Sequence, residues 1–319
     1  MEPLLIRRGC ALFLICCYLS GCKVSAPIHL WHPPVLSSTV GSKVVVSELV
    51  GDQALVQSIR NQLFEDVPND PGRRVELVDY QTLKRGAAIQ LVSATDQEVN
   101  DVALASLARR SGAHFLLRGE VFERRGGNPE DAMQDQLTIS WRLTPLVSDR
   151  DGGGLPVSVT IDTALKRYPD LALLSATDQI LSTAAVRETY RLMMPSVELE
   201  GVELESSYGF PGSRELRKGN ALAREGRWSE AEQIWKTLYS KNPFQIPALH
   251  NLALAAVARQ DYSEAKSLAS RAIRYHPSSI HQQTLAWVET RQRAYHQAFG
   301  YEDPPEGWFL TQLPSDSNP

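Results

Sequence analysis

Cysteine is almost missing from the body of this chain. The 319 residues contain four cysteines, and the last of them is Cys22. The chain after that position therefore offers no disulfide bond and no thiolate ligand for zinc. Nucleophilic catalysis by a cysteine is excluded from the same region.

A strong charge of one sign and long apolar runs are also lacking. The formal net charge is −4, and 43% of the residues are hydrophobic. A mildly acidic surface of mixed charge disfavours nucleic acid as a partner and disfavours binding to anionic lipid by charge. After residue 22 no apolar run approaches the ~20 residues that span a bilayer. We therefore expect a globular protein that binds no nucleic acid.

The sequence lacks the short motifs of common catalytic sites. It has no Gly-x-Ser-x-Gly, no His-Glu-x-x-His, no Walker A loop and no Gly-x-Gly-x-x-Gly. Glu120 and Glu123 allow a paired-carboxylate site, but solvated charges at a strand end are the favoured interpretation. His250 and His276 have no ligand partners at metal spacing. The sequence thus predicts a protein that is not an enzyme and has no cofactor and no metal.

What the sequence does contain begins with a leader over residues 1–21. Arg7 and Arg8 precede an uncharged run from Cys10 to Leu19, and roughly ten apolar residues are typical of a signal peptide. The next residues, Leu19-Ser20-Gly21-Cys22, resemble the lipobox of bacterial lipoproteins, Leu-[Ala/Ser]-[Gly/Ala]-Cys. The resemblance implies cleavage before Cys22 and two or three acyl chains on that residue, which give stable anchoring. An ordinary secretory signal or a short buried helix is the alternative.

The residues after the lipobox bear on localisation and on the start of the folded part. In bacterial lipoproteins an Asp after the lipidated cysteine favours retention in the inner membrane. Lys23 stands there, so the resemblance favours the outer membrane, facing the periplasm. Residues 22–42 contain Pro27, Pro33 and Pro34 and little charge, which predicts an extended tether.

The first predicted domain spans residues 43–199 and is an α+β sandwich of order β-α-β-α-β-β-β-α. Alternating strand patterns and helical spacings predict this order, with a strand at 43–49, a capping box at 95–98, a turn at 126–129 and a last strand at 155–165. The stretch 112–121, Gly-Ala-His-Phe-Leu-Leu-Arg-Gly-Glu-Val, resembles a strand in a group of envelope lipoproteins. That group includes the curli-secretion channel family, the penicillin-binding-protein activators and the N-terminal domain of TolB. The resemblance implies this fold and a role in the cell envelope.

The second predicted domain spans residues 212–299 and is built from two copies of one pattern. Residues 226–231 align with residues 260–265, and Pro243 aligns with Pro277, at the same 34-residue offset. This period resembles the tetratricopeptide repeat and implies an all-α solenoid of helical pairs. Residues 280–299 are the predicted capping helix. Residues 300–319 form a predicted irregular tail, of which Trp308 and Phe309 fold back onto the repeats.

The repeat resemblance also implies a binding surface. Repeats of this kind bind partner segments along a concave surface lined by their first helices, which here would present Leu216, Asn220, Ala223, His250, Leu254 and Val257. For Leu254 and Val257, packing inside the solenoid is an equal alternative. The resulting hypothesis is a non-catalytic, lipid-anchored adaptor or regulator of envelope assembly that docks a protein partner. The alternative is a cell-wall hydrolase or a component of a secretion channel.

The lipobox hypothesis predicts that Cys22→Ser leaves the chain uncleaved by the lipoprotein signal peptidase. We also expect no incorporation of radioactive palmitate, because the acceptor thiol is gone. Cys17→Ser, a change of the same kind within the leader, should label like the parent. Equal labelling of the Cys22→Ser chain and the parent would contradict the hypothesis.

Overall fold

A computed structural model describes residues 24–70, 72–88, 101–124, 135–148 and 150–310. The leader and Cys22, the predicted capping box at 95–98 and the predicted turn at 126–129 lie outside the described residues. The chain divides into two compact units. The first, here the sheet unit, comprises residues 31–196 and 294–301. The second, here the helical unit, comprises residues 197–293 together with the described parts of 1–30 and 302–319.

The described residues form seven strands and ten α-helices. The strands are β1 Val24–His32, β2 Lys43–Val46, β3 Glu76–Asp79, β4 Phe115–Arg124, β5 Gln136–Pro145, β6 Gly153–Thr160 and β7 Ser196–Leu204. The helices are α1 Gln53–Glu65, α2 Tyr80–Ala88, α3 Asp101–Arg110, α4 Ile161–Arg167, α5 Thr177–Met193, α6 Ser213–Arg224, α7 Trp228–Lys241, α8 Ile246–Ala258, α9 Tyr262–Tyr275 and α10 Ser279–Phe299. A 3-10 helix covers Pro169–Leu173.

The sheet unit is built on a five-stranded mixed sheet of order β3-β2-β4-β5-β6. β2 runs parallel to both of its neighbours, and β4, β5 and β6 form an antiparallel meander. Parallel neighbours need a crossover connection, which α1 supplies after β2 and α2 and α3 supply before β4. The predicted mixed α+β class is confirmed, with α2 and α4 as additions.

Helices α1 and α5 contribute to the core of the sheet unit. The side chain of Asp52 accepts hydrogen bonds from the backbone N–H groups of Ala54 and Leu55, both at 3.1 Å, and so caps the start of α1. Ile59 and Leu63 of α1 are fully buried and belong to one hydrophobic cluster with β-strand residues and with α5. Ile59 and Leu63 are four residues apart, which places them on one face of the helix, and this apolar face is buried.

The structure differs from the sequence interpretation at the end of β6. The predicted strand 155–165 ends at Thr160, where α4 begins. The hydroxyl of Thr160 accepts a hydrogen bond from the backbone of Thr163, and the hydroxyl of Thr163 accepts one from the backbone of Thr160. This reciprocal cap starts a helix where apolar alternation alone predicted continued strand.

The tether prediction for residues 22–42 is wrong over residues 24–32. These residues form β1, which pairs with β7 in a two-stranded sheet. Ala26, Ile28 and Leu30 are buried, as expected for every second residue of a strand with one covered face. Pro27 and the low charge favoured a tether, whereas the burial of every second residue stabilises a strand here. β7 runs past residue 199, where the first predicted domain ends.

In the helical unit the helix bounds reproduce the repeat period. α7 and α9 start at Trp228 and Tyr262 and end at Lys241 and Tyr275, an offset of 34 residues at both ends. Before each of these helices the backbone takes a left-handed conformation at equivalent positions, with φ 77° at Gly226 and 66° at Gln260. The two helical pairs therefore share their turn geometry as well as their length.

A single glycine sets how closely the first helical pair packs. Trp235 of α7 is fully buried, and its ring lies directly against Gly219 of α6. A Cβ atom at Gly219 would meet Nε1 of Trp235 at 2.3 Å, well inside van der Waals contact. The glycine that lowers helix propensity in α6 is therefore the residue that makes room for the indole.

Among the helices that the structure describes, none combines the length and the apolar character that crossing a bilayer requires.

Candidate functional site

The six residues predicted to line a partner groove are all buried. Each of them is at most 3% exposed, so none presents a free surface in the described structure. The set consists of Leu216, Asn220 and Ala223 on α6 and His250, Leu254 and Val257 on α8. Their binding to a partner stays a prediction. Cys22, the predicted lipidation site, lies outside the described residues.

A segment of the chain itself contacts the polar members of this set. We call residues 203–206, the end of β7 and the two residues after it, the covering segment. Asn220 donates to the backbone oxygen of Glu205 at 3.0 Å and to the hydroxyl of Ser206 at 2.9 Å. Nε2 of His250 lies 3.3 Å from the backbone oxygen of Glu203. The groove-lining amide and imidazole thus bind the chain's own backbone.

Asn251 is the residue that holds the covering segment most directly, and the sequence interpretation missed it. Its Oδ1 accepts from the backbone N–H of Glu205 at 2.9 Å, and its Nδ2 donates to the backbone oxygen of the same residue at 2.9 Å. Nδ2 also donates to Oδ1 of Asn220 at 2.9 Å. The side chain is fully buried. The available signal was an amide within a largely apolar helix, because buried amides require hydrogen-bond partners.

The covering segment also brings a carboxylate to two buried histidines. Oε2 of Glu205 lies 2.8 Å from Nε2 of His281, whose Nδ1 lies 2.8 Å from the backbone oxygen of His276. The rings of His250 and His281 are 5.4 Å apart between centroids. One ligand atom from each of Glu205, His250 and His281 lies within 4.8 Å of the others. The interpretation that His250 lacks ligand partners is therefore wrong, because its neighbours come from distant parts of the chain.

Burial favours the neutral form of the His250 imidazole. Burial lowers the pKa of His250, and the negative charge of Glu205 offsets this only in part. A neutral imidazole carries a proton on one ring nitrogen and a lone pair on the other. His250 is therefore able to donate one hydrogen bond and to offer one nitrogen to a proton or a cation.

The C-terminal residues of the helical unit fold back onto its helices, as the sequence predicted. Nζ of Lys266 lies 5.3 Å from the ring centre of Trp308 and 5.1 Å from that of Phe309. It also donates to the backbone oxygen of Gly307 at 3.0 Å and pairs with Glu306 at 2.8 Å. Burial raises the pKa of Glu306, but hydrogen bonds from Lys266 and from Ser263 outweigh it and lower this pKa to about 2. The lysine is fully buried, and the tail supplies its compensating charge.

A second buried charge receives the last described residues of the tail. The carboxylate of Glu289 is fully buried and accepts hydrogen bonds from the backbone N–H groups of Phe309 and Leu310, each at 3.0 Å. Arg293 pairs with the same carboxylate at 3.0 Å and donates to the backbone oxygen of Leu310 at 2.8 Å. Part of the tail predicted as irregular therefore has a fixed position on α9 and α10.

Three aromatic side chains of the helical unit remain open to solvent on two neighbouring loops. Tyr208, Phe210 and Phe244 are 67, 69 and 92% exposed. Gln245, next to Phe244, donates to the backbone oxygen of Pro211, which ties the two loops together. We call these three residues the aromatic loop pair.

Comparisons with known proteins give one family model and several weakly similar structures. Residues 217–301 match a family described as "Domain of unknown function (DUF6340)". No curated protein matches the chain. The chain is similar to a PelC dodecamer from Paraburkholderia phytofirmans, with 12% identity over 53% of this chain and 97% of that chain and a TM-score of 0.25. It is also similar to the LpoB C-terminal domain from Escherichia coli, with 21% identity over 38% of this chain and 84% of that chain and a TM-score of 0.25. The third similar structure is the hypothetical protein CT253 from Chlamydia trachomatis, with 13% identity over 47% of this chain and 91% of that chain and a TM-score of 0.24. At these values the likeness supports no argument about function.

The contacts of Asn251 predict a specific loss of stability. Asn251→Ala removes the acceptor of the Glu205 backbone N–H and the donor to Oδ1 of Asn220, and each buried group left without a partner costs about 1–3 kcal/mol. The backbone oxygen of Glu205 keeps its hydrogen bond from Asn220. We expect a lower free energy of unfolding and faster cleavage of residues 200–212 by a nonspecific protease. Asn242→Ala, a half-buried asparagine without these hydrogen bonds, is the matched control. Equal stability and equal cleavage of the two variants would rule out the role given to Asn251.

Proposed function

We propose that this chain is a non-catalytic adaptor or regulator of cell-envelope assembly that docks a protein partner through its helical unit. In this proposal a lipid on Cys22 anchors the protein to the outer membrane, facing the periplasm. We interpret helices α6 to α9 as two tetratricopeptide repeats. The common 34-residue offset and the equivalent left-handed turns at Gly226 and Gln260 support this interpretation.

The observation that carries the docking proposal is the aromatic loop pair. Large aromatic side chains are usually buried, and exposed apolar patches on globular proteins mark interaction sites. Aromatic residues are also enriched among the few residues that supply most of the binding energy of an interface. More than half of the surface of each of Tyr208, Phe210 and Phe244 is exposed. Gln245 ties the two loops that carry them together.

The six groove residues have a different role in this proposal from the one that the sequence predicts. In the described structure they pack inside the helical unit, and Asn220 and His250 contact the covering segment. A partner reaches them only after that segment has left. We therefore assign the first contact with a partner to the aromatic loop pair and keep the groove as a surface that opens afterwards.

The docking proposal predicts that a variant carrying Tyr208→Ser, Phe210→Ser and Phe244→Ser loses its partner while keeping its fold. Each changed side chain is exposed, so the free energy of unfolding should change little. Loss of one interface hot spot costs about 2 kcal/mol or more, so the combined variant should recover at least tenfold less partner after crosslinking in the cell envelope. The control is Leu173→Ser, which changes a side chain of the sheet unit that is 90% exposed.

Two results would overturn this assignment. If the triple variant and the Leu173→Ser variant recover the same partners in the same amounts, the aromatic loop pair is not the docking surface. If the purified parent protein degrades peptidoglycan, the alternative of a cell-wall hydrolase replaces the adaptor.

A further inference from the structure

We propose that Glu205, His250 and His281 form a binding site for one divalent transition-metal ion of the zinc type. The three residues come from three separate elements: the covering segment, α8 and α10. An ion bound by all three would fasten the covering segment to both helices. This inference stands on the buried cluster and does not depend on the docking role.

The donor atoms of the cluster have the chemistry that zinc prefers. Zinc in proteins is bound by imidazole nitrogen at ~2.0–2.1 Å and by carboxylate oxygen at ~2.0–2.2 Å. Two imidazoles and one carboxylate also suit copper, nickel and iron, whereas magnesium and calcium prefer oxygen ligands alone. The three candidate ligand atoms already lie within 4.8 Å of one another. The site therefore needs only small shifts to close on an ion.

The backbone around His281 orients its ring as a ligand. Nδ1 lies 2.8 Å from the backbone oxygen of His276, and because a carbonyl oxygen only accepts, Nδ1 carries a proton and donates a hydrogen bond to it. In metal-binding histidines the N–H group of the second ring nitrogen usually donates a hydrogen bond to a carbonyl or a carboxylate in this way. This hydrogen bond fixes the tautomer. Whenever the ring carries only this one proton, its lone pair is on Nε2, the atom that faces Glu205.

This arrangement leaves a position for a cation between His281 and Glu205. Nε2 of His281 and Oε2 of Glu205 are 2.8 Å apart, and a lone pair at that distance from a carboxylate oxygen is repulsive. A proton or a metal ion between the two atoms removes the repulsion. His250 provides a third donor atom within 4.8 Å of the other two, and a proton shared between two atoms makes no use of a third.

Metal binding requires a small opening of the pair. Two ligand atoms at about 2.1 Å from a tetrahedral ion are separated by about 3.4 Å, which is wider than the contact in the structure. Both imidazoles are buried, but the side chain of Glu205 retains 23% exposure. The carboxylate is therefore the ligand that is free to shift. A water molecule reaching the ion past Glu205 would complete four ligands.

The test measures zinc retained by the purified protein. After treatment with a chelator and addition of Zn²⁺, the parent should retain one zinc per chain through gel filtration and should unfold at a higher temperature. Glu205→Gln, His250→Gln and His281→Gln each remove one ligand. Each should weaken zinc binding by more than the roughly 10–100-fold that changes of outer-shell residues cause. His29→Gln, at an exposed position of β1, should bind like the parent.

A second measurement separates loss of the site from loss of the fold. Glu205→Gln keeps the shape of the side chain and all backbone contacts with Asn251, so circular dichroism should match the parent. Co²⁺ added in place of Zn²⁺ should give the visible absorption of a tetrahedral site in the parent and not in this variant. A folded parent that retains no zinc would show that a proton alone joins His281 to Glu205, which overturns the proposal. Zinc retained equally by the parent and the three ligand variants would overturn it as well.

Discussion

The buried amide of Asn251 is the constraint on which much of the helical unit depends. An amide removed from water has to find partners for its donor and acceptor groups. Asn251 finds them on both backbone polar groups of one residue, Glu205. Because that residue is fixed, its carboxylate lies at His281 on one side. The chain then continues from it into the loop that carries Tyr208 and Phe210. The two hydrogen bonds between Asn251 and Glu205 thus help to position the carboxylate of the candidate metal cluster. They also fix the start of the loop that carries Tyr208 and Phe210.

The same principle operates where the tail of the helical unit is held. Lys266 and Glu289 are fully buried charges, and a buried charge is tolerated only when it is paired and hydrogen-bonded. The partners of both come in part from residues 306–310. Two segments of the chain, one before the helices and one after them, therefore satisfy polar groups that the helices bury. Polar side chains are tolerated at these buried helix positions because the two segments provide their hydrogen-bond and charge partners.

Much of the local structure follows from the sequence, whereas the covering of the helices does not. The face of α1, the mixed order of strands and helices, and the 34-residue offset all depend on local spacing, which a sequence displays directly. β1 was missed because its alternating residues stand beside Pro27, and its pairing with β7 is a contact between distant segments. Glu205 and His281 are 76 positions apart, and nothing in local periodicity indicates that they meet. The prediction of an open groove treated the repeats as if no other part of the chain covered them.

The central claim is that the covering segment lies fixed on the helices in the intact protein, and hydrogen exchange at the backbone amide of Glu205 tests it most directly. This N–H donates to a fully buried side chain, so it should exchange as slowly as amides in the middle of α8, which open only with the surrounding structure. The amides of the exposed loop at Tyr208 and Gly209 provide the fast reference in the same spectrum. Protection of Glu205 equal to that of α8 is the predicted result. Exchange of Glu205 as fast as the loop reference would contradict the account.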